Sequence, residues 1–311
     1  MQFATSTGGV PASLRPSAVT FGKFDGMHVG HQEVISALRA VAAERGLSSV
    51  VLTFDRNPLS LLDPARSPES IVSNEQKREL LEASGVDAMV QLPFDRALSS
   101  LTADDFVRDV LVRALGARVV LVGPGTRYGR QGSGDFARLA ELGAELGFEV
   151  RQLELHLDSS GEPVSSTRIR SLLAEGNVRE AGRLLGRRPS VRAVIVHGQK
   201  RGRALGYPTA NFSRELEGYI PADGVYAGLI TIGGRTMPAA VSIGNNPTFD
   251  GVPARQVEAY VLDEDLDLYD QVASLEFVDF IRGMVKYTTL DDLIAQMGRD
   301  TERVREILAS V

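Results

Sequence analysis

His28 and His31 lie three residues apart in Gly22-Lys23-Phe24-Asp25-Gly26-Met27-His28-Val29-Gly30-His31, a spacing that puts both imidazoles on one face of a helix start. The free N–H groups and positive dipole end of a helix N-terminus favour an anion, and Gly30 lets a phosphate approach the backbone. Imidazole donors beside a polyphosphate stabilise the charge that grows as pyrophosphate leaves. A second candidate, Val164-Ser165-Ser166-Thr167-Arg168-Ile169-Arg170, opens another helix. Its hydroxyls and N–H groups suit phosphate oxygens, and Arg168 offers a fork of donors. Alone it reads as an ordinary helix cap with solvated arginines. Beside His-x-Gly-His it looks like the second phosphate clamp of a nucleotidyltransferase.

A different chemistry is written further on, in His197-Gly198-Gln199-Lys200-Arg201-Gly202-Arg203-Ala204-Leu205-Gly206-Tyr207-Pro208-Thr209-Ala210-Asn211. Gly198 and Gly202 with Lys200, Arg201 and Arg203 suit a flexible loop over phosphates. Thr209 and Asn211 are neutral oxygen ligands, which fits Mg²⁺ held jointly with substrate phosphates. Transfer of a γ-phosphoryl also needs an acceptor for the proton of the attacking hydroxyl. Glu258, an acid among apolar strand residues in Val257-Glu258-Ala259-Tyr260, is the candidate. Taken singly, Pro-Thr-Ala-Asn is a turn and Glu258 a surface charge; their co-occurrence favours the chemical reading. Gly123-Pro124-Gly125-Thr126-Arg127-Tyr128-Gly129 imitates a dinucleotide fingerprint, but its third glycine comes one residue late. The loop after Gly198 lacks the Gly-Lys-Ser/Thr ending of a Walker A loop.

These residues need a scaffold, and 311 residues supply about two domains at roughly 150 residues each. Net charge is −6, so a basic footprint for nucleic acid is absent, and nucleic acid is not an expected partner. No cysteine is present, which removes disulfides, thiolate zinc sites and cysteine nucleophiles. The first residues carry neither a charged n-region nor an apolar h-region, and no run reaches about 18 apolar residues. The expectation is a soluble, cytoplasmic chain with no membrane partner and no bar to oligomerisation.

The first half alternates strand and helix patterns. Strands are predicted at Ala18–Phe21, Val50–Phe54, Ala88–Leu92, Arg118–Val122 and Phe148–Leu155. Helices are predicted at Val29–Arg45 with a Gly46 cap, from Ser73 with a Ser73/Gln76 capping box, at Ala103–Leu115, and at Asp135–Leu146. This alternation implies an α/β, Rossmann-like domain whose parallel sheet has helices on both faces, with ligands beyond the carboxyl ends of its strands. After about Gly186 the pattern becomes short, alternating and β-rich. Gly224–Ile232, Pro238–Ile243, Val257–Leu262 and Ser274–Phe280 read as strands, with Gly233-Gly234 as a hairpin turn. A small antiparallel barrel and a helix from Leu290 to Ala309 complete the chain. The boundary near Gly186–Ser190 gives domains 1–186 and 187–311.

Together these motifs resemble the prokaryotic bifunctional riboflavin kinase/FMN adenylyltransferase family, the FAD synthetases. The resemblance runs from about Val19 to the final helix. It includes Gly206-Tyr207-Pro208-Thr209-Ala210-Asn211, Pro221-Ala222-Asp223-Gly224-Val225-Tyr226-Ala227-Gly228, Asn246-Pro247-Thr248-Phe249 and Asp267-Leu268-Tyr269. It implies a barrel module that transfers the ATP γ-phosphoryl to riboflavin, with Glu258 as base and Thr209 and Asn211 on Mg²⁺. It implies a first module that adenylylates FMN. There His28, His31 and Arg168 would act on the triphosphate, and Gly22, Phe24, Asp25, Gly26, Gly30, Ser165, Ser166 and Thr167 would bind it. Arg282 sits where the family has a loop closing on the flavin. Riboflavin, FMN and ATP are the ligands implied.

The chain also departs from the family pattern. Phe54-Asp55-Arg56-Asn57-Pro58 stands for the common Phe-Asp-Pro-His-Pro, and Gly125-Thr126-Arg127-Tyr128-Gly129 for Asn-Phe-Arg-Phe-Gly. Lys23 replaces a small or apolar residue. A kinase whose first domain is degenerate, or redirected to another flavin phosphate, is the alternative reading.

Overall fold

The computed structural model describes residues 1–154, 156–198, 206–245, 255–264 and 266–309. The chain divides into two compact units, Met1–Ser165 and Ser166–Val311. In the first, six strands pair in parallel in the order β1-β4-β3-β2-β5-β6: β1 (Gln2–Ala4), β2 (Ser17–Phe21), β3 (Ser48–Phe54), β4 (Ala88–Leu92), β5 (Ala117–Val122) and β6 (Glu149–Gln152). Neighbouring residues of each strand feed opposite cores. Ala18, Val51, Met89 and Val119 meet Ile35, Leu38 and Leu81 on one face. Val19, Val50, Val90 and Val120 meet Val107, Leu111 and Leu142 on the other. Burial on both faces explains why the strands read as continuous apolar runs. The chain steps from β2 out to β3 and β4, then returns to place β5 on the other side of β2. The carboxyl ends of β2 and β5 therefore flank the switch point where such sheets bind ligands.

Helix α1 (Val29–Arg45) stops at Gly46, whose φ of 64° is the left-handed cap expected there. Helix α2 (Asn74–Ala83) opens with the reciprocal Ser73–Gln76 capping box, and α3 (Phe136–Leu146) with an Asp135 cap. The helix expected over Ala103–Leu115 starts at Ala103–Asp105 and continues with π-type bonding over Phe106–Ala114. The expected Phe148–Leu155 strand pairs only over Glu149–Gln152. Strand β1 has three residues, too few to show a period.

Tyr128 packs edge-on against Phe21 and obliquely against Phe106, and its buried hydroxyl has no hydrogen-bond partner among the described residues. Burial pushes this phenol up to about 12. An unsatisfied buried hydroxyl costs about 1–3 kcal/mol, so Tyr128→Phe is expected to raise stability by about 1 kcal/mol. Chemical denaturation followed by circular dichroism checks this; a lowered midpoint would mean that the hydroxyl has a partner.

The second unit begins with α4 (Ser166–Ala174) and α5 (Val178–Leu185). Strands β7 (Ser190–Val196), β8 (Thr209–Phe212), β9 (Gly224–Ile232), β10 (Arg235–Gly244), β11 (Gln256–Val261) and β12 (Val272–Arg282) then close an antiparallel barrel in the order β10-β11-β8-β7-β12-β9. Both short helices belong to this unit: the Ala222 N–H donates to Leu173 O at 2.9 Å, and Arg179 pairs with Asp279. Gly233 and Gly234, at φ 57° and 81°, make the two-residue turn between β9 and β10. Alternate residues such as Val257, Ala259 and Val261 are buried, as period-two strands around a filled barrel require. Helix α6 (Leu290–Leu308) lays Val304 and Ile307 against Ala227 and Leu262.

Candidate active sites

The loop after β2 turns sharply: Phe24, Gly26 and Met27 all take left-handed backbone, at φ 47°, 80° and 46°. Such conformations are costly for non-glycine residues. Phe24 and Met27 are held there by burial in the core beside Ile35 and Leu38. The loop ends at His28, the cap of α1, whose Nδ1 accepts the His31 N–H at 3.4 Å. That bond places the proton of a neutral His28 ring on Nε2. The two imidazoles stack at 3.6 Å between centroids and 18° between planes. Phe24 meets His31 edge-on at 5.2 Å. Burial, then the neighbouring charges of His28 and Lys77, holds His31 well below the usual imidazole range. His31 is therefore neutral at pH 7.

Gly22, Lys23, Phe24, His28, Gly30 and His31 line one cleft, closed on the β5 side by Gly123, Pro124 and Thr126. It lies at the switch point. Asp25 belongs to a neighbouring polar cleft with Asp55, Arg56, Asn57 and Lys77, and its Oδ1 accepts the Ile71 N–H at 2.9 Å. Lys23 lines both, so three of the departures from the family pattern (Lys23, Arg56 and Asn57) gather at the second cleft. Gly26 packs on Ile71, 3.0 Å from where its Cβ would stand. His156 and Glu154 also line the His28–His31 cleft, and sequence reading missed both. Only the fold brings their segment beside α1; no local spacing announces it.

Ser165 is the last residue of the first unit, and Ser166 opens α4 in the second. Thr167 O accepts the Ser171 hydroxyl at 3.3 Å, and Arg168 lies 3.6 Å from Glu180.

On the barrel, β8 and β11 pair with Glu258 opposite Asn211 and Tyr260 opposite Thr209. Ala210 and Ala259 point to the buried side, so Thr209, Asn211 and Glu258 share the outer face. Thr209 Oγ1 donates to Glu258 Oε2 at 3.1 Å, and Asn211 Nδ2 donates to Thr209 O at 3.2 Å. The Asn211 amide oxygen is left as a ligand atom. Gly198 packs so closely that a Cβ there would stand 2.5 Å from the Asn211 amide. Among the described residues, no group of three or more His, Cys, Asp or Glu forms a self-contained metal site. The donor set is of hard oxygens suited to a cation shared with phosphates, and it fits Mg²⁺. Lys200, Gly202 and Arg203 lie outside the described residues, as does Asn246–Phe249.

Two clefts meet at Thr209. One is lined by Ile195, Gly198, Asn211, Leu268 and Tyr269. The other holds Glu258 and Tyr260 and is walled by Met284, Tyr287, Leu293 and Met297, an apolar slot for a flat ring system. Arg282 lines this slot, fixed by a two-oxygen pairing with buried Asp300. Gln296 Nε2 donates to the same carboxylate at 2.7 Å.

A switch-point cleft with paired imidazoles, followed by a closed barrel bearing a carboxylate–hydroxyl–amide cluster, defines a two-module phosphoryl- and nucleotidyl-transferring protein. Family models described as FAD synthetase and riboflavin kinase match residues 10–168 and 185–308. The bifunctional riboflavin kinase/FMN adenylyltransferase of Listeria monocytogenes is 35% identical over 294 residues, covering 94% of this chain and 93% of that protein. That of Escherichia coli K12 is 34% identical over 289 residues, covering 93% and 91%. A solved structure described as a macrolide-efflux protein from Streptococcus pneumoniae superposes with a TM-score of 0.84 at 32% identity, covering 97% and 98%. The chain belongs to the bifunctional riboflavin kinase/FMN adenylyltransferase family. Among the described residues, no helix is long and apolar enough to cross a membrane.

Proposed function

We propose that the chain converts riboflavin to FAD in two ATP-consuming steps on separate modules, the barrel and the parallel-sheet domain, in the cytoplasm. As a member of its family it is a riboflavin kinase and an FMN adenylyltransferase. The observation that carries the kinase assignment is Glu258 lining a largely apolar slot, bonded to the hydroxyl of a candidate magnesium ligand.

In the barrel, the flavin ring enters the slot and its 5′-hydroxyl faces Glu258. The carboxylate takes the hydroxyl proton as the oxygen attacks the γ-phosphorus in line, and ADP leaves. Thr209 orients the carboxylate. With Asn211 it would hold Mg²⁺, which neutralises charge on the phosphates. Gly198, Lys200, Gly202 and Arg203 would cover those phosphates, and Arg282 would close on the flavin. In the first module, an FMN phosphate oxygen attacks the α-phosphorus of ATP and pyrophosphate departs. His28 and His31 donate N–H groups to phosphoryl oxygens at the helix start, where the dipole adds to their effect. Gly22, Phe24, Gly26 and Gly30 shape the loop, and Asp25 braces it through Ile71. Ser165, Ser166, Thr167 and Arg168 are the further triphosphate-binding residues that the family resemblance implies.

Chromatography of the products from riboflavin and Mg-ATP tests the whole reading: FMN should appear first and FAD after it. FMN alone would favour a kinase with an inactive first module; neither product would defeat both assignments. Gly198→Ala tests the magnesium cradle, because the new Cβ must displace the Asn211 amide. The KM for Mg-ATP in FMN formation should rise on the order of tenfold, since small misplacements of positioning groups are expensive. FAD formation from supplied FMN should not change.

A further inference from the structure

His156 stands in the His28–His31 cleft but belongs to neither phosphate-binding motif. Its Nδ1 lies 2.6 Å from Glu33 Oε1, so a carboxylate on the second turn of α1 fixes the ring. Its backbone is fixed as well: Val164 N–H donates to His156 O at 3.1 Å, beside the Leu157–Pro163 bridge. Gly30 lies between the two segments: a Cβ there would stand at ordinary contact distance, 3.4 Å, from both His156 Cβ and the His28 ring. An imidazole held at Nδ1 by a carboxylate presents its other nitrogen in a set direction.

We propose that His156, positioned by Glu33, is a third imidazole of the adenylyl-transfer site and donates Nε2–H to a nonbridging oxygen of the nucleotide's polyphosphate. The inference rests on the adenylyltransferase reading of the first module. No bond to the ring forms or breaks. Its work is to hold charge: the imidazolium lies between the Glu33 carboxylate and the phosphate, and a neutral ring loses the second donor. The groups facing it are Glu33, His28 and His31 on α1, Lys23 on the preceding loop and Glu154 on its own segment. Burial holds His31 neutral.

The test compares His156→Gln and Glu33→Gln with the unmodified chain, using thermal denaturation followed by circular dichroism as the check on folding. For FAD formation, His156→Gln should raise the KM for ATP about 10- to 100-fold, the equivalent of one lost charge-assisted hydrogen bond. Glu33→Gln should raise the same KM by a smaller factor and leave kcat unchanged, because the ring is kept but the carboxylate that orients it at 2.6 Å is lost. Unchanged KM in either variant overturns the proposal. The chain has only four histidines, so ring proton resonances can be assigned by single substitution. On adding the magnesium complex of a β,γ-imido ATP analogue, the titration midpoint of His156 should rise. A midpoint that does not move rejects the clamp even if FAD is made. A rise without FAD formation upholds the clamp and defeats the adenylyltransferase reading instead.

Discussion

Glu258→Ala is expected to lower the rate of FMN formation by about 10²- to 10⁴-fold, the usual contribution of a positioned general base. The KM for riboflavin should change little, because the slot is walled mainly by Tyr260, Met284, Tyr287, Leu293 and Met297. Glu258→Gln separates two roles of the carboxylate. An amide oxygen can still accept the Thr209 hydroxyl, now at 3.1 Å from Glu258, but cannot take a proton. Equal losses in both variants identify proton acceptance as the function. Recovery in the glutamine variant would reduce Glu258 to an orienting group, and full activity in the alanine variant would remove it from the mechanism. FAD formation from supplied FMN is the internal control and should stay at the wild-type rate.

His28→Ala should cost FAD formation about 10²- to 10³-fold, the scale of a lost donor to developing transition-state charge. Phosphorylation of riboflavin should continue unchanged. The substitution also removes the helix cap that accepts the His31 N–H, a loss on the order of 1 kcal/mol. His28→Asn distinguishes the two effects. Asparagine is a good cap but has no imidazole, so stability should return while FAD formation stays low. If asparagine restores the rate, His28 acts by building the helix start; if alanine lowers both activities equally, the modules are not independent.

Much of this was legible because the residues concerned carry local signals. Val29–Arg45 was readable from apolar residues at helical spacing and from Gly46 at its end, while the His28 cap came only with the structure. The Ser73–Gln76 capping box is likewise a two-residue signal that the structure realises in full. Strand β8 was harder. Pro208-Thr209-Ala210-Asn211 reads as a turn, and only pairing with β11 makes it a strand that sets Asn211 opposite Glu258. The π-type bonding over Phe106–Ala114 leaves the apolar pattern intact and so leaves no trace in it. Asp300 looks like a polar residue on a solvated helix face, yet it is buried because it holds Arg282 from the barrel. His156 is the clearest case of information carried by topology alone: the segment after β6 meets α1 only once the sheet is wound.

The slot over Glu258 takes one wall from Leu293, Met297, Asp300 and Thr301, all on α6 near the end of the chain. During synthesis on a ribosome, the barrel strands emerge first and can pair while this wall is still untranslated. A nascent chain halted at residue 289 would carry Glu258, Thr209 and Asn211 on a strand surface open to water. Riboflavin would meet a slot that lacks this wall, so such an abortive product would hold it weakly and spend little ATP on it.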